Sequence, residues 1–400
     1  MRRVPSSRPL PFLRIVADDL SGAADCAASF ADARRPIPVH LHGLPQGPCW
    51  ALDTDTRAMD ETSAVAETRR LFGQLAAGAA PQLVYKKIDS TLRGHVGAEL
   101  AAALAAAPQF AAALVAPAFP QQGRTLDGGK VVVHGRPGSD LVALLEAAGL
   151  KTALLRPAAT GELLPSIAAA LASGARAIVM DAASDGELAL VADALLQPSA
   201  PRLLAAGSAG LARALAAQDA REPAVDTPAP GAVMTVVGSF SPASAAQAAQ
   251  VEQGGDALVL RLTAAQWTGE RHAALREDAV AAARAALLQG RHVLFAVAGE
   301  VVQPFTRSLV QGIAAATAPL VPQTTACVLT GGDTARAMFD VLGIACLQVT
   351  GELEPGISAG LAASQVSRRF ILKAGGFGDA LALQRVIRRF GANPGARAPS

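Results

Sequence analysis

The sequence predicts an α/β protein with two α/β domains, mostly parallel sheets and an active site in the interdomain cleft. In both halves of the chain, short apolar runs alternate with Ala-rich stretches of helical length. Such alternation is typical of a parallel sheet covered by helices. A Pro-rich stretch at residues 218–231 separates the halves. Turns rich in Gly, Ser and Asp follow several apolar runs, and α/β proteins bind ligands at the carboxyl ends of their strands.

The first half of the chain begins with regular alternation. We predict strands at residues 14–17, 39–42, 50–53, 83–88, 112–116, 152–155, 177–180 and 203–205, and helices at 22–34, 62–76 and 97–107. Residues 117–136 interrupt the rhythm, because Pro, Gly, Gln and Arg dominate around the three valines at 131–133. This segment predicts a loop and a β-hairpin insertion.

The second half repeats the α/β pattern. We predict its strands at residues 233–237, 257–260, 293–297, 326–329, 345–349 and 370–372. The composition between the two series is that of a linker. We therefore expect an N-terminal domain at residues 1–222, a linker at 223–231 and a C-terminal domain at 232–400.

The composition excludes several classes of protein. Hydrophobic residues make up 51% and charged residues 17% of the 400 residues, which indicates a globular chain. No long apolar run is free of charges and of Gly or Pro, and none follows Met1 as a secretory signal would. The four cysteines are widely spaced, which indicates reduced thiols. With a net charge of +2 and no basic tract, we expect a cytoplasmic protein that binds neither nucleic acid nor membrane.

The densest polar cluster follows the strand predicted at 83–88. Two ammonium groups, a carboxylate, two hydroxyls and a guanidinium stand close together there, and such groups need partners if they are buried. Their mixture suits a small, polyhydroxylated anion. The candidates are Lys86, Lys87, Asp89, Ser90 and Arg93.

Two further segments of the first half carry candidate residues. Asp18 and Asp19 end the first strand, and Ser21 with Gly22 allows close approach of a ligand to the following helix. The alternative is that Asp19 or Ser21 only caps that helix. Arg124 lies at the end of a long polar loop that could close over a substrate.

The second half contains three glycine-rich turns after strands. Free backbone N–H groups at helix N-termini bind anions. A single turn of this kind is common, whereas three in one domain favour a phosphate-bearing ligand such as a nucleotide. The candidates are Ser239 and Ser241, then Gly331, Gly332, Asp333 and Thr334, then Lys373, Gly375 and Gly376. Glu352 and Glu354 could help to hold a magnesium ion, or they are solvated loop carboxylates.

A domain for a polar anion next to a domain for a phosphate ligand favours phosphoryl transfer in a cleft that excludes water on closing. The common signatures GxxxxGK[ST] and GxGxxG are absent. One alternative is a non-enzymatic sugar-acid binding protein with two α/β domains. Another is a nicotinamide-dependent dehydrogenase acting on a hydroxy acid, which predicts the missing GxGxxG turn.

Six ordered motifs resemble those of the four-carbon acid sugar kinases. They are DDLSGA at 18–23, KIDSTLRG at 87–94, PAFP at 117–120 with GR at 123–124, GSFS at 238–241, TGGDT at 330–334 and KAGGFG at 373–378. The resemblance implies an N-terminal sugar-acid domain and a C-terminal ATP domain. It also implies phosphorylation of the C4 hydroxyl of threonate or erythronate, with a 3-oxo-tetronate as the alternative acceptor. Ser21 stands where Thr is common in the family, and His95 stands where Asn is common.

We expect these residues to divide into three roles. Asp89 and Asp19 are the leading candidates for the carboxylate that orients the acceptor hydroxyl and takes its proton, with Asp18 third, and Lys373 neutralises the transferring group. Arg93, with Lys86 or Lys87, is expected to pair with the substrate carboxylate. The substrate-binding set is Asp18, Asp19, Lys86, Lys87, Asp89, Ser90, Arg93 and Arg124, and the nucleotide-binding set is Ser239, Ser241, Gly331, Gly332, Asp333, Thr334, Gly375 and Gly376.

The resemblance also implies the cofactors and partners of the chain. The cofactors are ATP and Mg²⁺, because Mg²⁺ bridges phosphates in phosphoryl transfer. No residue of these sets is assigned as a metal ligand. The partners are a small-molecule sugar acid and ATP, and a homodimer is left open.

Overall fold

A computed structural model describes residues 13–77, 83–218, 230–299, 307–362 and 368–391. The chain divides into two compact units. The N-terminal unit comprises Met1–Phe30 and Ile37–Pro223, and the C-terminal unit comprises Ala31–Pro36 and Ala224–Ser400. Most of the linker predicted at 223–231 lies outside the described residues.

The N-terminal unit is built on a parallel sheet. Its strands are β1 (Leu13–Ala17), β2 (Ile37–His40), β3 (Cys49–Asp53), β4 (Leu83–Lys87), β5 (Ala113–Ala116), β6 (Arg124–Asp127), β7 (Lys130–Val133), β8 (Arg136–Asp140), β9 (Thr152–Leu155), β10 (Ala177–Met180) and β11 (Leu204–Gly207). The eight strands of the main sheet run in the order β2-β3-β1-β4-β11-β5-β10-β9, and every pair is parallel. This arrangement confirms the α/β class.

Helices cover this sheet, as the Ala-rich stretches predict. They are α1 (Leu20–Phe30), α2 (Glu61–Ala77), α3 (Val96–Ala106), α4 (Leu141–Ala147), α5 (Thr160–Ala172), α6 (Asp185–Leu195) and α7 (Ala209–Ala216). The first helix was expected to reach residue 34, but it ends at Phe30. A short bridge between Asp32 and Arg35 follows it, because the Asp32 carboxylate accepts hydrogen bonds from the backbone N–H groups of Arg34 and Arg35.

The insertion after β5 is a sheet of three strands. β6, β7 and β8 pair antiparallel, whereas the sequence predicts a simple hairpin. The third strand was missed because Arg136–Asp140 is mostly exposed and has the Pro-Gly-Ser composition of a turn.

The C-terminal unit has a mixed sheet. Its strands are β12 (Val233–Val237), β13 (Leu258–Thr263), β14 (Val293–Ala298), β15 (Ala326–Thr330), β16 (Cys346–Glu354), β17 (Ile357–Ala362) and β18 (Arg368–Lys373), and its helices are α8 (Pro242–Gln253), α9 (Ala264–Thr268), α10 (Ala273–Leu288), α11 (Arg307–Thr317), α12 (Gly332–Leu342) and α13 (Ala382–Phe390). The strand order is β13-β14-β12-β15-β18-β17-β16. The first five strands are parallel and the last two pair antiparallel. β17 was not predicted, because its Ser and Gly residues weaken the strand pattern.

Both sheets hold their central strands in the core. β4, β5, β10, β11, β12 and β15 are buried along their whole length, which their apolar runs predict for strands covered on both faces. In the described part of the chain, no helix is long and apolar enough to cross a bilayer. Polar residues collect instead at the carboxyl edges of the two sheets.

Candidate active site

The carboxyl edge of the N-terminal sheet gathers the polar residues of the first half. Ala17 at the end of β1 pairs with Lys87 at the end of β4 and with Asp53 at the end of β3. The residues that follow these strands therefore lie side by side. We call the resulting group the carboxylate cluster, which consists of Asp18, Asp19, Arg57, Lys87, Asp89 and Arg93.

Arg57 is the centre of the carboxylate cluster. Its Nε donates to Oδ2 of Asp18 at 2.8 Å and its Nη2 donates to Oδ1 of Asp18 at 2.9 Å. Nη2 also lies 2.8 Å from Oδ1 of Asp19 and 3.7 Å from Oδ1 of Asp89. Bidentate arginine–carboxylate pairs are strong and directional. One guanidinium thus joins the carboxylates that follow β1 and β4.

Arg57 was not among the residues predicted from the sequence. It follows β3 through a 3₁₀ turn, Thr56–Ala58, and the residue before this turn, Asp55, has a left-handed backbone with φ 55°. The rule that flagged Asp18 and Asp89 also applies to the polar residues 53–57 after the strand predicted at 50–53. The signal was therefore present, but a loop reversal at Asp55 brings the arginine back to the edge.

Asp19 is the most accessible carboxylate of the cluster. Its side chain is 14% exposed, against 4% for Asp18 and 6% for Asp89. It accepts hydrogen bonds from the Ser21 hydroxyl at 2.6 Å and from the Gly22 N–H at 3.2 Å. Burial by itself would raise the pKa of Asp19, but Arg57 and Lys87 lower that pKa to about 2. Asp19 is therefore ionised at neutral pH.

Asp89 is held almost entirely by its own loop. Oδ2 accepts hydrogen bonds from Nε of Arg93 at 2.9 Å and from the Thr91 N–H at 3.1 Å, and Oδ1 accepts one from Nη2 of Arg93 at 2.8 Å. The Thr91 hydroxyl also donates to it. Burial would raise the pKa of Asp89, but the hydrogen bond from Arg93 and the charge of Arg57 hold that pKa well below its ordinary value.

The two neighbouring lysines lie on opposite faces of β4. Nζ of Lys87 is 3.5 Å from Oδ1 of Asp19 and 3.9 Å from Oδ1 of Asp18. A side chain on Gly22 would collide with that ammonium, which explains the glycine there. Nζ of Lys86 lies 2.7 Å from Oε2 of Glu99, and both side chains are buried. Successive strand residues face opposite sides of a sheet, so the structure separates Lys86 from the carboxylate cluster.

Ser90 and Arg124 meet at the start of β6. Nη1 of Arg124 donates to the Ser90 hydroxyl, which joins the three-stranded insertion to the loop after β4. Arg124 is partly buried there, and burial lowers the pKa of its guanidinium. His95 lies farther along that loop, with Nε2 2.8 Å from the backbone oxygen of Met59.

Left-handed backbone conformations occur close to Arg57, Arg93 and Arg124. Among the described residues, the non-glycine residues with positive φ are Asp55 (55°), Leu92 (63°) and His134 (47°). Asp55 precedes Arg57 by two residues and Leu92 directly precedes Arg93. The N–H of His134 donates at 2.7 Å to the carbonyl of Gly123, the residue before Arg124. Such strain collects at functional sites, where the surrounding structure enforces it.

The C-terminal unit brings its three turns together. Val237, Thr330 and Lys373 end adjacent parallel strands in the same register. A Cβ on Gly238 would lie 2.3 Å from Oγ1 of Thr334, and a Cβ on Gly375 would lie 2.3 Å from Oγ of Ser239. We call this group the glycine-turn cluster, which consists of Gly238, Ser239, Ser241, Gly331, Thr334, Lys373 and Gly375.

Helix N-termini point into the glycine-turn cluster. Ser241 caps α8, where its hydroxyl oxygen accepts from the Ser244 N–H at 3.1 Å. Gly331 precedes α12 with φ 99°, and its N–H donates to the Lys373 carbonyl at 2.8 Å. Asp333 is exposed in the first turn of α12. Two helix starts at adjacent strand ends form the arrangement that binds phosphate groups.

Lys373 is fully buried among backbone carbonyls. Its Nζ donates to the carbonyls of Ala374 at 3.0 Å and Gly375 at 3.2 Å. Burial lowers the pKa of Lys373 from 10.5 to about 7. Nearby, the Gln247 side chain donates to the carbonyls of Phe377 at 3.0 Å and Asp379 at 2.8 Å, and so fixes the loop after β18. The sequence alone did not predict this role of Gln247.

The two candidate magnesium ligands have different surroundings. Both oxygens of Glu354 accept hydrogen bonds from Arg385, at 2.7 and 2.6 Å. Oε1 of Glu352 is buried. In the described ranges, no three His, Cys, Asp or Glu side chains are grouped as a protein metal site requires. Glu354 is therefore part of an ion pair with Arg385.

Comparison with known proteins agrees with the division of the chain into an N-terminal and a C-terminal unit. Residues 13–215 match the family model of a sugar-binding N-terminal domain, and residues 234–383 match that of a nucleotide-binding C-terminal domain. The chain is 37% identical to a D-threonate kinase of Cupriavidus necator, over 92% of this chain and 95% of that protein. It is 28% identical to a 3-oxo-tetronate kinase of Methylobacterium radiotolerans, over 92% and 96% of the two chains.

A solved structure shares the fold. A protein of Salmonella typhimurium LT2 superimposes with a TM-score of 0.75 at 23% identity, and the match covers 94% of this chain and 99% of that one. At this identity the likeness shows the fold alone. The family models and the curated relatives are decisive: the chain belongs to the four-carbon acid sugar kinase family.

Proposed function

We propose that this protein transfers the γ-phosphoryl group of ATP to the C4 hydroxyl of a four-carbon sugar acid, with D-threonate as the first acceptor to test. The observation that carries the proposal is the carboxylate cluster at the edge of the N-terminal sheet. It offers ionised carboxylates for hydroxyl groups and the exposed guanidinium group of Arg93 for an anion. The D-threonate kinase of Cupriavidus necator, at 37% identity, supports this acceptor.

Membership of the family makes the protein a kinase. A nicotinamide-dependent dehydrogenase and a non-enzymatic binding protein, the two alternatives open to the sequence alone, are therefore wrong. Both curated relatives described above are named as kinases. Phosphoryl transfer depends mainly on positioning and on electrostatic stabilisation of the transferring group.

Asp19 is the carboxylate that we assign to the acceptor hydroxyl. Asp18 binds Arg57 through both oxygens, and Asp89 binds Arg93 through both oxygens. Asp19 is more exposed than either of them. Its pKa of about 2 makes it a weak base. A loose transition state releases the hydroxyl proton late, so a weak base that orients the hydroxyl suffices.

We assign the substrate carboxylate to Arg93 and Arg124. The side chain of Arg93 is 66% exposed, and Asp89 occupies its Nε and Nη2. The N–H groups of its Nη1 can donate to an anion, because a guanidinium carries five donors. Ser90, bound to Arg124, is proposed to contact a substrate hydroxyl. We do not assign Lys86 to the substrate, because its ammonium group pairs with Glu99.

We assign the ATP phosphates to the glycine-turn cluster. The starts of α8 and α12 present backbone N–H groups, and Lys373 supplies a buried ammonium. Gly332, Asp333 and Gly376 belong to the same turns and stay in the proposed nucleotide-binding set. Mg²⁺ is proposed to arrive with the nucleotide, because phosphate and water oxygens supply most of its ligands in such sites.

The test is a coupled ADP-release assay with one acceptor at a time. The panel is D-threonate, L-threonate, D-erythronate, L-erythronate and the 3-oxo-tetronates, each with ATP and Mg²⁺. We expect the highest kcat/KM with D-threonate. The highest value with a 3-oxo-tetronate would replace the acceptor, and no turnover with any four-carbon acid would refute the proposed function. A homodimer and a cytoplasmic location stay predictions.

A further inference from the structure

The Lys86–Glu99 ion pair lies inside the N-terminal unit, and no role assigned so far explains it. The lysine is 1% exposed and the glutamate 2% exposed, with Nζ 2.7 Å from Oε2. Removing two charges from water is so unfavourable that apolar replacements are often neutral or stabilising. The pair therefore calls for a reason beyond stability.

Glu99 joins two separate elements through one oxygen. Its Oε2 accepts a hydrogen bond from the Thr56 hydroxyl at 3.1 Å and another from the Thr68 hydroxyl at 3.2 Å. Thr68 lies in α2, whereas Thr56 begins the 3₁₀ turn that presents Arg57. Both threonines are buried, with 0% and 1% exposure.

The backbone around Thr56 is also fixed to the end of β1. The N–H and the hydroxyl of Thr54 both donate to the carbonyl of Ala17 at 2.8 Å. The N–H of Arg57 donates to the carbonyl of Asp18 at 3.2 Å. The turn is thus held by β1 through its backbone and by Glu99 through the Thr56 side chain.

We propose that Lys86, Glu99 and Thr56 are positioning residues that hold the Arg57 guanidinium across the carboxylates of Asp18 and Asp19. The inference rests on the proposed function, because it gives these residues a part in phosphoryl transfer. Lys86 fixes the Glu99 carboxylate, and Glu99 fixes the Thr56 hydroxyl. Because Arg57 directly follows Thr56 in the chain, a fixed Thr56 also fixes the position of Arg57. That position matters because errors of about 1 Å near a reacting group lower rates strongly.

Two threonines provide a matched pair of variants. Thr56→Val and Thr68→Val each remove one hydroxyl that donates to the same oxygen, at nearly the same distance and burial. The Thr56 hydroxyl also lies 2.9 Å from the Thr54 hydroxyl, so Thr56→Val should lower the melting temperature at least as much as Thr68→Val. We expect Thr56→Val to lower kcat with the sugar acid by about tenfold or more, with KM for ATP unchanged. Thr68→Val should stay within about twofold of wild type, and Thr56→Ser should restore most of the lost rate.

A second measurement does not depend on turnover. Asp19 faces Arg57, Lys87 and Asp89, and the hydrogen bond from Ser21 also holds it. If Arg57 loses its placement, its charge no longer holds the carboxylate as firmly, and the pKa of Asp19 rises from about 2. Carbon-13 carboxyl NMR, assigned with Asp19→Asn, should show this rise in Thr56→Val and not in Thr68→Val.

The outcomes separate the inference from the proposed function. If wild type phosphorylates no four-carbon acid but the NMR difference appears, the function is wrong and the placement of Arg57 by Glu99 stands. Equal losses of kcat in Thr56→Val and Thr68→Val, together with an unmoved Asp19, would overturn the inference. Should Thr56→Val fail to fold, Thr56→Ala replaces it, with Thr68→Ala as its partner and the same two readouts.

Discussion

Arg57 donates hydrogen bonds to both carboxylate oxygens of Asp18, at 2.8 and 2.9 Å. It does so from the loop after β3, outside every strand predicted from the sequence. The same guanidinium touches Asp19 at 2.8 Å. Adjacent carboxylates repel one another at close range, and a cation between them makes the ionised pair stable. The Arg57 guanidinium therefore offsets the repulsion between two neighbouring aspartates in a largely buried site.

Arg57→Lys should separate charge from geometry. A lysine keeps the positive charge but cannot span Asp18 and Asp19 with a planar fork. We expect kcat/KM for the sugar acid to fall by about a hundredfold, while KM for ATP stays near its wild-type value. Steady-state kinetics would check this. Arg70→Lys is the control, since Arg70 pairs with Glu67 on the exposed side of α2; equal effects of the two changes would contradict the role of Arg57.

Asp19→Asn and Asp89→Asn should differ in kind. The first removes the accessible carboxylate, and we expect kcat to fall by about a thousandfold with ADP binding intact. The second releases Arg93 from its bidentate pair, so it should chiefly raise KM for the sugar acid. Full kinetics of both variants would check the split. A larger loss of kcat in Asp89→Asn would transfer the base to Asp89.

Lys373 should make stability depend on pH. Its folded pKa of about 7 lies below the ordinary 10.5, so between these values the unfolded chain holds one more proton. Stability then rises with pH through this window, and burial of Lys373 is most unfavourable below pH 7. Lys373→Met should therefore exceed wild type in stability at pH 6, with the difference shrinking towards pH 10. Urea unfolding at both pH values would check this, with the exposed Lys130→Met as control; a constant difference would contradict it.

Nucleotide binding should protonate Lys373. A phosphate beside the ammonium favours the charged form, so the pKa of Lys373 rises from about 7 on binding. At pH 8, ADP binding should take up protons, and the apparent binding enthalpy should depend on the ionisation enthalpy of the buffer. Calorimetry in HEPES and Tris, which differ in ionisation enthalpy and carry no phosphate, would measure this. The dependence should vanish in Lys373→Met, and its persistence there would place the titrating group elsewhere.

Gly375→Ala should impair the nucleotide site alone. Its Cβ would lie 2.3 Å from Oγ and 3.0 Å from Cβ of Ser239, so the Ser239 hydroxyl has to rotate and the Ser239 Cβ has to shift. We expect KM for ATP to rise by about tenfold or more, with KM for the sugar acid unchanged. Gly73→Ala is the control, because no atom lies within 4 Å of that Cβ in α2. It should stabilise the helix by about 0.5–1 kcal/mol. Thermal unfolding and kinetics of both variants would decide.

Strand ends made much of the candidate site predictable. Lys87 ends β4, whereas Asp18, Asp19 and Asp89 follow β1 or β4 within two residues. Parallel strands align those ends. Lys86 could not be separated from Lys87, because the sequence does not say which face of β4 the site occupies. Its buried partner Glu99 lies in a different element, α3.

The fold was predictable where apolar runs were long and was missed where they were not. The parallel strands of both sheets follow such runs. β8 and β17 contain Gly and Ser and pair antiparallel, so their pairing depends on neighbours that the local pattern does not show. Arg57 was missed for a related reason, since the left-handed residue Asp55 reverses the chain just before it.

The left-handed residues Asp55, Leu92 and His134 have a consequence for engineering this enzyme. Such a conformation costs about 1 kcal/mol or more for Leu92 and less for Asp55 and His134, because Asp and His enter the left-handed region more readily. Glycine at these positions would relieve the strain and is the kind of change that a screen for heat resistance selects. It would also loosen the backbone next to three arginines. Screens on melting temperature alone would therefore favour glycine variants at these positions that have a lower kcat. Heat-resistant variants should be sought elsewhere in the chain.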